Sequence, residues 1–113
     1  MANSSVTVIA KLDLVQSIQD ALQYISYYHP PDFIRALGNA YQAEQSAAAK
    51  DAMAQILVNS RMCAEGKRPI CQDTGIVNVF ISVGMNVRFE TDMSLEDMIN
   101  AGVRVAYQLP DNV

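Results

Sequence analysis

Apolar side chains recur every three or four residues in four stretches of the chain, and this spacing predicts four helices. The positions that define the four apolar faces are Leu14, Ile18, Leu22 and Ile25; Phe33, Leu37, Ala40 and Tyr41; Met53, Ile56 and Leu57, whose face the polar Ser60 continues; and Leu95, Met98, Ile99 and Val103. Polar residues separate these positions, so each helix is expected to bury one face against a neighbour.

Capping residues set the expected ends of these helices. Asp13, Ser46 and Ser94 carry side-chain oxygens that can accept hydrogen bonds from the unpaired amides of a first helical turn. Pro31 suits the first position of the second helix, because the amide hydrogen that proline lacks would be unpaired there anyway. Gly66 is expected to cap the third helix.

Residues 76–83 depart from the helical period. Their sequence, Ile-Val-Asn-Val-Phe-Ile-Ser-Val, is β-branched and largely apolar, which predicts a mostly buried strand. Residues 6–9 also have strand-like character, and residues 86–90 are expected to form a turn or a second short strand. The predicted fold class is therefore α+β: a single domain over residues 1–113, mostly helical, with one buried strand that could pair in a small sheet.

Composition and charge narrow the function classes. The 113 residues are 50% hydrophobic and 18% charged, which favours a folded chain over a disordered one. The net charge of -4 argues against broad nucleic-acid binding and against a polybasic membrane-binding patch. No apolar run reaches the ~20 residues of a membrane span, and no signal peptide is expected. Two cysteines cannot form a dense disulfide scaffold, so we predict a cytoplasmic protein.

The strongest chemical candidate is the block Pro69-Ile70-Cys71-Gln72-Asp73-Thr74-Gly75. It places a thiol, an amide and a carboxylate side by side on a connection between a helix and the predicted strand, where rigid elements can orient reactive groups. Ordinary turn chemistry is the alternative interpretation. In that case Asp73 bonds to nearby amides, Gly75 relaxes the backbone and Cys71 is a small buried hydrophobe.

Other chemistry has less support in the sequence. The only histidine, His29, ends the first helix and is expected to be structural, since nothing in the spacing links it to Cys71. Cys63 and Cys71 lack the close pairing of zinc ligands, and a disulfide between them is disfavoured in the cytoplasm. Arg61, Lys67 and Arg68 could attract an anion or could simply favour the carboxyl end of a helix.

The block from Arg68 to Gly75, followed by Ile76–Ile81, resembles the amino-terminal part of the iron–sulfur class I fumarate hydratases. The related tartrate dehydratase alpha subunits share the same general signature. The likeness covers most of the chain, and the residues around Cys71 are its most specific part.

This resemblance implies roles for three residues. Cys71 would be one of three thiolates that hold a [4Fe–4S] cluster, which leaves one iron without a thiolate to act as a Lewis acid. Gln72 would contact a carboxylate of the substrate, fumarate or malate. Asp73 would also line the substrate site, as the catalytic carboxylate beside the reacting centre, with an acid–base role. Thr74 and Gly75 would shape the turn.

The chain departs from the family in length. Family members are several-fold longer, and their other two cluster cysteines lie beyond the position of Val113. The resemblance assigns no ligand role to Cys63. It implies an amino-terminal fragment that needs the remainder of a homo-oligomeric enzyme, or a partner subunit, and that alone holds no stable cluster and is inactive. A dehydratase for tartrate or another hydroxy diacid and a noncatalytic helical interaction domain are the alternatives.

Overall fold

Four helices and two short strands form within residues 5–71 and 75–109, which are the residues that the computed structural model describes. In chain order the elements are β1 (Thr7–Ala10), α1 (Lys11–Tyr27), α2 (Pro31–Ala43), α3 (Ala47–Gly66), β2 (Val87–Glu90) and α4 (Leu95–Gln108). The fold is α+β and mostly helical, as the sequence predicts.

The two strands form a parallel pair, and each leads into a helix. Thr7 pairs with Val87 and Ala10 with Glu90, in continuous register. The amide of Thr7 also donates to the carbonyl of Asn86 at 2.8 Å. Both regions with expected strand character, residues 6–9 and 86–90, therefore contribute to the sheet.

Helices α1 and α4 pack closely against each other beside this sheet. Met98 on α4 is 1% exposed, and Leu22 on α1 is also buried. At Gly102 the two backbones approach so closely that a Cβ atom would lie 2.7 Å from Cβ of Ile18 and 2.9 Å from the carbonyl oxygen of Val15. Glycine therefore permits this packing.

The helix ends match the sequence with two exceptions. Pro31 opens α2, the Ser46 hydroxyl accepts from the Ala49 amide at 3.4 Å, and Ser94 accepts from Asp97 in the same way at 3.1 Å. Asp13 is not the cap of α1, because β1 leads directly into a helix that starts at Lys11.

The second exception is the carboxyl end of α3. Gly66 is the last residue of the helix, and the left-handed C-cap falls on the next residue, Lys67, with φ of 50°. Its backbone amide donates to the carbonyl of Cys63. The helix thus ends where glycine is expected, but a lysine adopts the left-handed conformation.

The predicted buried strand at residues 76–83 is wrong. The segment has no regular secondary structure, Val77 is half-buried, and its other residues are exposed, with Phe80 at 96%. A strand needs backbone partners, and β1 and β2 pair only with each other. Extended propensity alone cannot replace those hydrogen bonds.

Much apolar surface remains uncovered. The radius of gyration is 19.2 Å, compared with roughly 13 Å for a compact chain of about 100 residues. Ile25, Phe33 and Ile56, which belong to predicted apolar faces, are more than a third exposed. The described helices therefore bury only part of their apolar faces. None of those helices is long and apolar enough to cross a membrane.

Candidate functional site

The connection from α3 to Cys71 begins with a sharp change of direction. After Lys67 adopts its left-handed conformation, the amide of Arg68 donates to the carbonyl of Cys63 at 3.1 Å. These bonds satisfy a carbonyl that the helix end would otherwise leave unpaired. The chain then runs back along α3 toward the end of α1.

Two helices hold the peptide groups of Ile70. Its amide donates to the carbonyl of Ser26, in the last turn of α1, at 2.9 Å. Its carbonyl accepts from Nδ2 of Asn59, on α3, at 2.9 Å. The residue directly before Cys71 is therefore anchored on both sides. We call Ser26, Asn59, Cys63 and Ile70, with their hydrogen bonds, the Ile70 clamp.

Cys63, on α3, contributes to the same clamp through its side chain. Its buried thiol lies 3.4 Å from the carbonyl of Pro69 and 3.6 Å from Oδ1 of Asn59, so its single hydrogen can be shared between two acceptors. Cys63 is thus a core thiol. It forms no disulfide with Cys71, since both cysteines are free.

Cys71 itself is exposed, so the turn-chemistry interpretation of this residue as a small buried hydrophobe is wrong. Its two predicted partners in the block, Gln72 and Asp73, lie outside the described residues, as does Thr74. Gly75 has a φ of 50°, a left-handed conformation that glycine adopts without steric cost. This agrees with the expectation that Gly75 relaxes the backbone at the end of the block.

His29 has a structural position. Its Nδ1 lies 3.0 Å from the hydroxyl of the buried Ser60, and its ring stacks on Phe33 with centroids 4.5 Å apart. These contacts join the turn between α1 and α2 to α3. They match the structural role expected for this residue.

The cationic residues before the block are not equivalent. Arg61 forms an ion pair with Glu65 at 2.8 Å, and that hydrogen bond, together with the charge of the carboxylate, raises the pKa of Arg61. A guanidinium is charged at all physiological pH values in any case. Since a carboxylate already compensates Arg61, any attraction for an anion must come chiefly from Lys67 and Arg68.

Two of the clefts lie on either side of residues 76–80 and are lined mainly by apolar side chains. A cleft of about 660 Å³ lies against α4 and is lined mainly by Val77, Val79, Leu95, Ile99 and Val103. A second, of about 470 Å³, lies mainly against α1. Among the residues that the structure describes, no lysine or arginine lines either of these two clefts, whereas Lys67 lines a third cleft of about 400 Å³. Neither of the first two clefts therefore offers the cationic groups that a dicarboxylate needs.

The donor set can be tested against an iron–sulfur cluster. Within residues 5–71 and 75–109, no three histidine, cysteine, aspartate or glutamate side chains come together as a metal site. Cys71 does present one accessible thiol at the end of an anchored connection. That arrangement fits one corner of a cluster whose other ligands come from elsewhere.

The sequence singles out Cys71 as a candidate but does not point to Ser26 and Asn59, which hold the peptide group before it. Asn59 lies inside a helix, where asparagine is unfavourable. This position is the one feature of the sequence that could have indicated a specific role for its side chain. The partner of Asn59 is a backbone carbonyl, which no sequence pattern identifies. The contribution of Ser26 is also a backbone carbonyl, so its side-chain type carries no information.

Comparisons with known proteins agree with the resemblance around Cys71. The fumarate hydratase (Fumerase) family model matches residues 15–112. A protein of Methanocaldococcus jannaschii that is provisionally named L(+)-tartrate dehydratase subunit alpha is 35% identical over 79 residues, which is 70% of this chain. The chain spans 28% of the length of that relative. No solved structure matches this chain. On this basis the chain belongs to the fumarate hydratase family of hydro-lyases.

Proposed function

We propose that this chain is the amino-terminal part of a [4Fe–4S]-dependent hydro-lyase that hydrates fumarate reversibly to malate. The observation that carries the proposal is the family match over residues 15–112, which includes the whole Cys71 block. The remaining cluster ligands and substrate-binding groups would come from further polypeptide, on the same chain or on a partner subunit. The complete enzyme would be a homo-oligomer.

Cys71 would be the cluster ligand of this chain. Its thiol is exposed, whereas the thiol of Cys63 is buried and shared between two oxygen acceptors. Only Cys71 can therefore reach a group outside the described fold without breaking existing contacts. When bound, the cluster supplies an iron without a thiolate ligand as a Lewis acid for substrate oxygen.

Gln72 and Asp73 would act on the substrate. The carboxamide of Gln72 can donate hydrogen bonds to a substrate carboxylate and so orient the diacid. The carboxylate of Asp73 can accept a proton at one oxygen and return it, as an acid–base group beside the reacting carbons. The reaction adds a hydrogen and a hydroxyl across the double bond, without net oxidation or reduction.

The role of Asp73 is tested by Asp73→Asn in the complete enzyme. We expect kcat for malate formation to fall by about 10²–10⁴-fold, because the amide cannot take up the proton. Iron content should stay at the wild-type level. Asp51→Asn, at an exposed position on α3, is the matched control and should leave kcat unchanged. A wild-type rate in Asp73→Asn would contradict the assignment.

The fragment alone is expected to hold no stable cluster and to hydrate no fumarate, because it supplies one thiolate of three. Anaerobic reconstitution followed by iron and sulfide analysis tests this expectation. A product with about four irons per chain, the content of a full cluster, would contradict it.

Tartrate or another hydroxy diacid is the second candidate substrate. The observation in its favour is the name of the Methanocaldococcus jannaschii relative. The ratio of kcat/KM for malate to that for L-tartrate in the complete enzyme separates the two. A ratio well above one supports the fumarase proposal, and a ratio well below one supports the tartrate alternative.

A noncatalytic interaction domain is the alternative for this chain taken by itself, although not for the complete enzyme. Its support is the exposed apolar segment 76–83, with Ile76 and Phe80 almost wholly accessible. We expect the purified chain to self-associate as its concentration rises. Sedimentation equilibrium measures this, and a strictly monomeric chain at high concentration would argue against an uncovered interface.

A further inference from the structure

Asn59 connects the buried thiol of Cys63 to the peptide group that precedes Cys71. Its Nδ2 donates to the carbonyl of Ile70 at 2.9 Å, and its Oδ1 faces the thiol of Cys63 at 3.6 Å. A thiol can donate its hydrogen and a carbonyl can only accept one, so this is the only orientation of the amide that satisfies both partners.

The Ile70 clamp restrains the backbone on both sides of one residue. Ser26 accepts from the amide of Ile70, and Asn59 donates to its carbonyl. The Cα atom of Cys71 is only about 3.8 Å from the Cα of Ile70, as in any trans peptide. Restraint of Ile70 therefore limits where the Cys71 thiol can lie.

We propose that Asn59 is a positioning residue, which holds the peptide before Cys71 so that its thiol is preorganised as a cluster ligand. This inference rests on the proposed function of Cys71. A ligand held in place before binding loses less conformational freedom when it binds, and groups around a metal site commonly orient its ligands in this way. Cys63 would support the site through Asn59 without binding iron.

Three variants of the chain separate a hydrogen-bond role from a packing role. Asn59→Ala removes the whole carboxamide, and Asn59→Asp keeps its shape but cannot donate as a carboxylate. Gln55→Ala is the matched control, because Gln55 is also a side-chain amide on α3, and it donates to Asp51 at 2.9 Å. It lies outside the clamp.

Amide hydrogen exchange in the chain itself tests the clamp without any cluster. We expect the Ile70 amide to exchange about 2–10-fold faster in both Asn59 variants than in wild type, the range that follows from loss of one typical hydrogen bond. Gln55→Ala should leave that rate unchanged. An unchanged Ile70 rate in Asn59→Asp would overturn the proposed hydrogen-bond role.

Cluster retention in the holoenzyme tests the consequence for Cys71. During exposure to an iron chelator, we expect the visible absorbance of the cluster to decay about 2–10-fold faster in Asn59→Ala and Asn59→Asp than in Gln55→Ala. Equal decay in all three would overturn the proposal. A wild-type holoenzyme without any iron–sulfur absorbance would instead refute the proposed function, and the exchange result would still stand on its own.

Discussion

The paired helices α1 and α4 and the segment 76–83 both carry apolar side chains, yet only the helices pack these side chains against each other. Met98 of α4 is 1% exposed, while Phe80 of the segment is 96% exposed. The helices satisfy their own backbones and need only a neighbouring apolar face, whereas an extended segment needs a second strand as well. Apolar sequence therefore forms regular secondary structure here only where the hydrogen bonds of the backbone are satisfied.

The same contrast divides the two sides of Cys71. Before it, the Ile70 clamp fixes the backbone with hydrogen bonds from α1 and α3. After it, residues 76–80 lie between two open clefts. The side that bears the proposed cluster ligand is thus built by this chain, and the opposite side presents apolar surface that further polypeptide could cover.

The largest expected effect is on the α1–α4 packing. Met98→Ala should lower the free energy of unfolding by about 2–5 kcal/mol, because it leaves a cavity at a fully buried position. Denaturant titration followed by circular dichroism measures the change. A loss below about 0.5 kcal/mol, the level of an ordinary surface substitution, would show that α1 and α4 do not form the core.

Gly102 and Gly38 should respond to alanine with opposite signs. Gly102→Ala should cost about 1–3 kcal/mol, since its Cβ would lie 2.9 Å from the backbone oxygen of Val15. Gly38, inside α2, has nothing within 4 Å of a Cβ. Gly38→Ala should therefore raise the free energy of unfolding by about 0.5–1 kcal/mol through helix propensity. Thermal unfolding of both variants tests the pair, and stabilisation by Gly102→Ala would contradict the close helix approach.

The start of α4 should be sensitive to its cap. Ser94→Ala should cost about 1 kcal/mol, because the Asp97 amide loses its acceptor. Ser17→Ala is the control: its hydroxyl donates to the Asp13 carbonyl inside α1, where alanine is the better helix former. Equal denaturation midpoints for the two variants would argue against the cap.

The smallest effect is expected in the unpartnered segment. Phe80→Ala should change the free energy of unfolding of the chain by less than about 0.5 kcal/mol, as for a surface substitution. The same substitution should reduce self-association in sedimentation, since it removes exposed apolar surface. A cost comparable to that of Met98→Ala would place Phe80 in a core and remove the contrast between the two regions.

The helices could be predicted from sequence because their signals are local. Apolar spacing, Pro31 and the two serine caps all act within a few residues of the feature that they determine. The segment 76–83 could not be placed, because strand formation depends on a partner distant in sequence. Its β-branched pattern indicates that the backbone favours an extended conformation, but it does not indicate whether a second strand is available to pair with it.

The site follows the same division. The sequence makes Cys71 a candidate because the residues around it form a specific block, and it predicts the turn at Gly75 because glycine adopts a left-handed conformation without steric cost. The Ile70 clamp was not recognisable, since it joins side chain to backbone across three separate segments. Asn59 and Ile70 are neighbours only because Lys67 turns the chain back along α3.

The most direct test of the account is the iron content of the complete enzyme carrying Cys71→Ser, measured beside Cys63→Ser after anaerobic assembly. Under the proposed function the cluster would bind the exposed thiol of Cys71 and not the buried thiol of Cys63. A serine hydroxyl at position 63 can still donate to Asn59. We expect Cys63→Ser to retain about four irons per protomer and Cys71→Ser to lose most of them, together with fumarate hydration. Full iron occupancy and activity in Cys71→Ser would contradict the assignment of Cys71 as a cluster ligand.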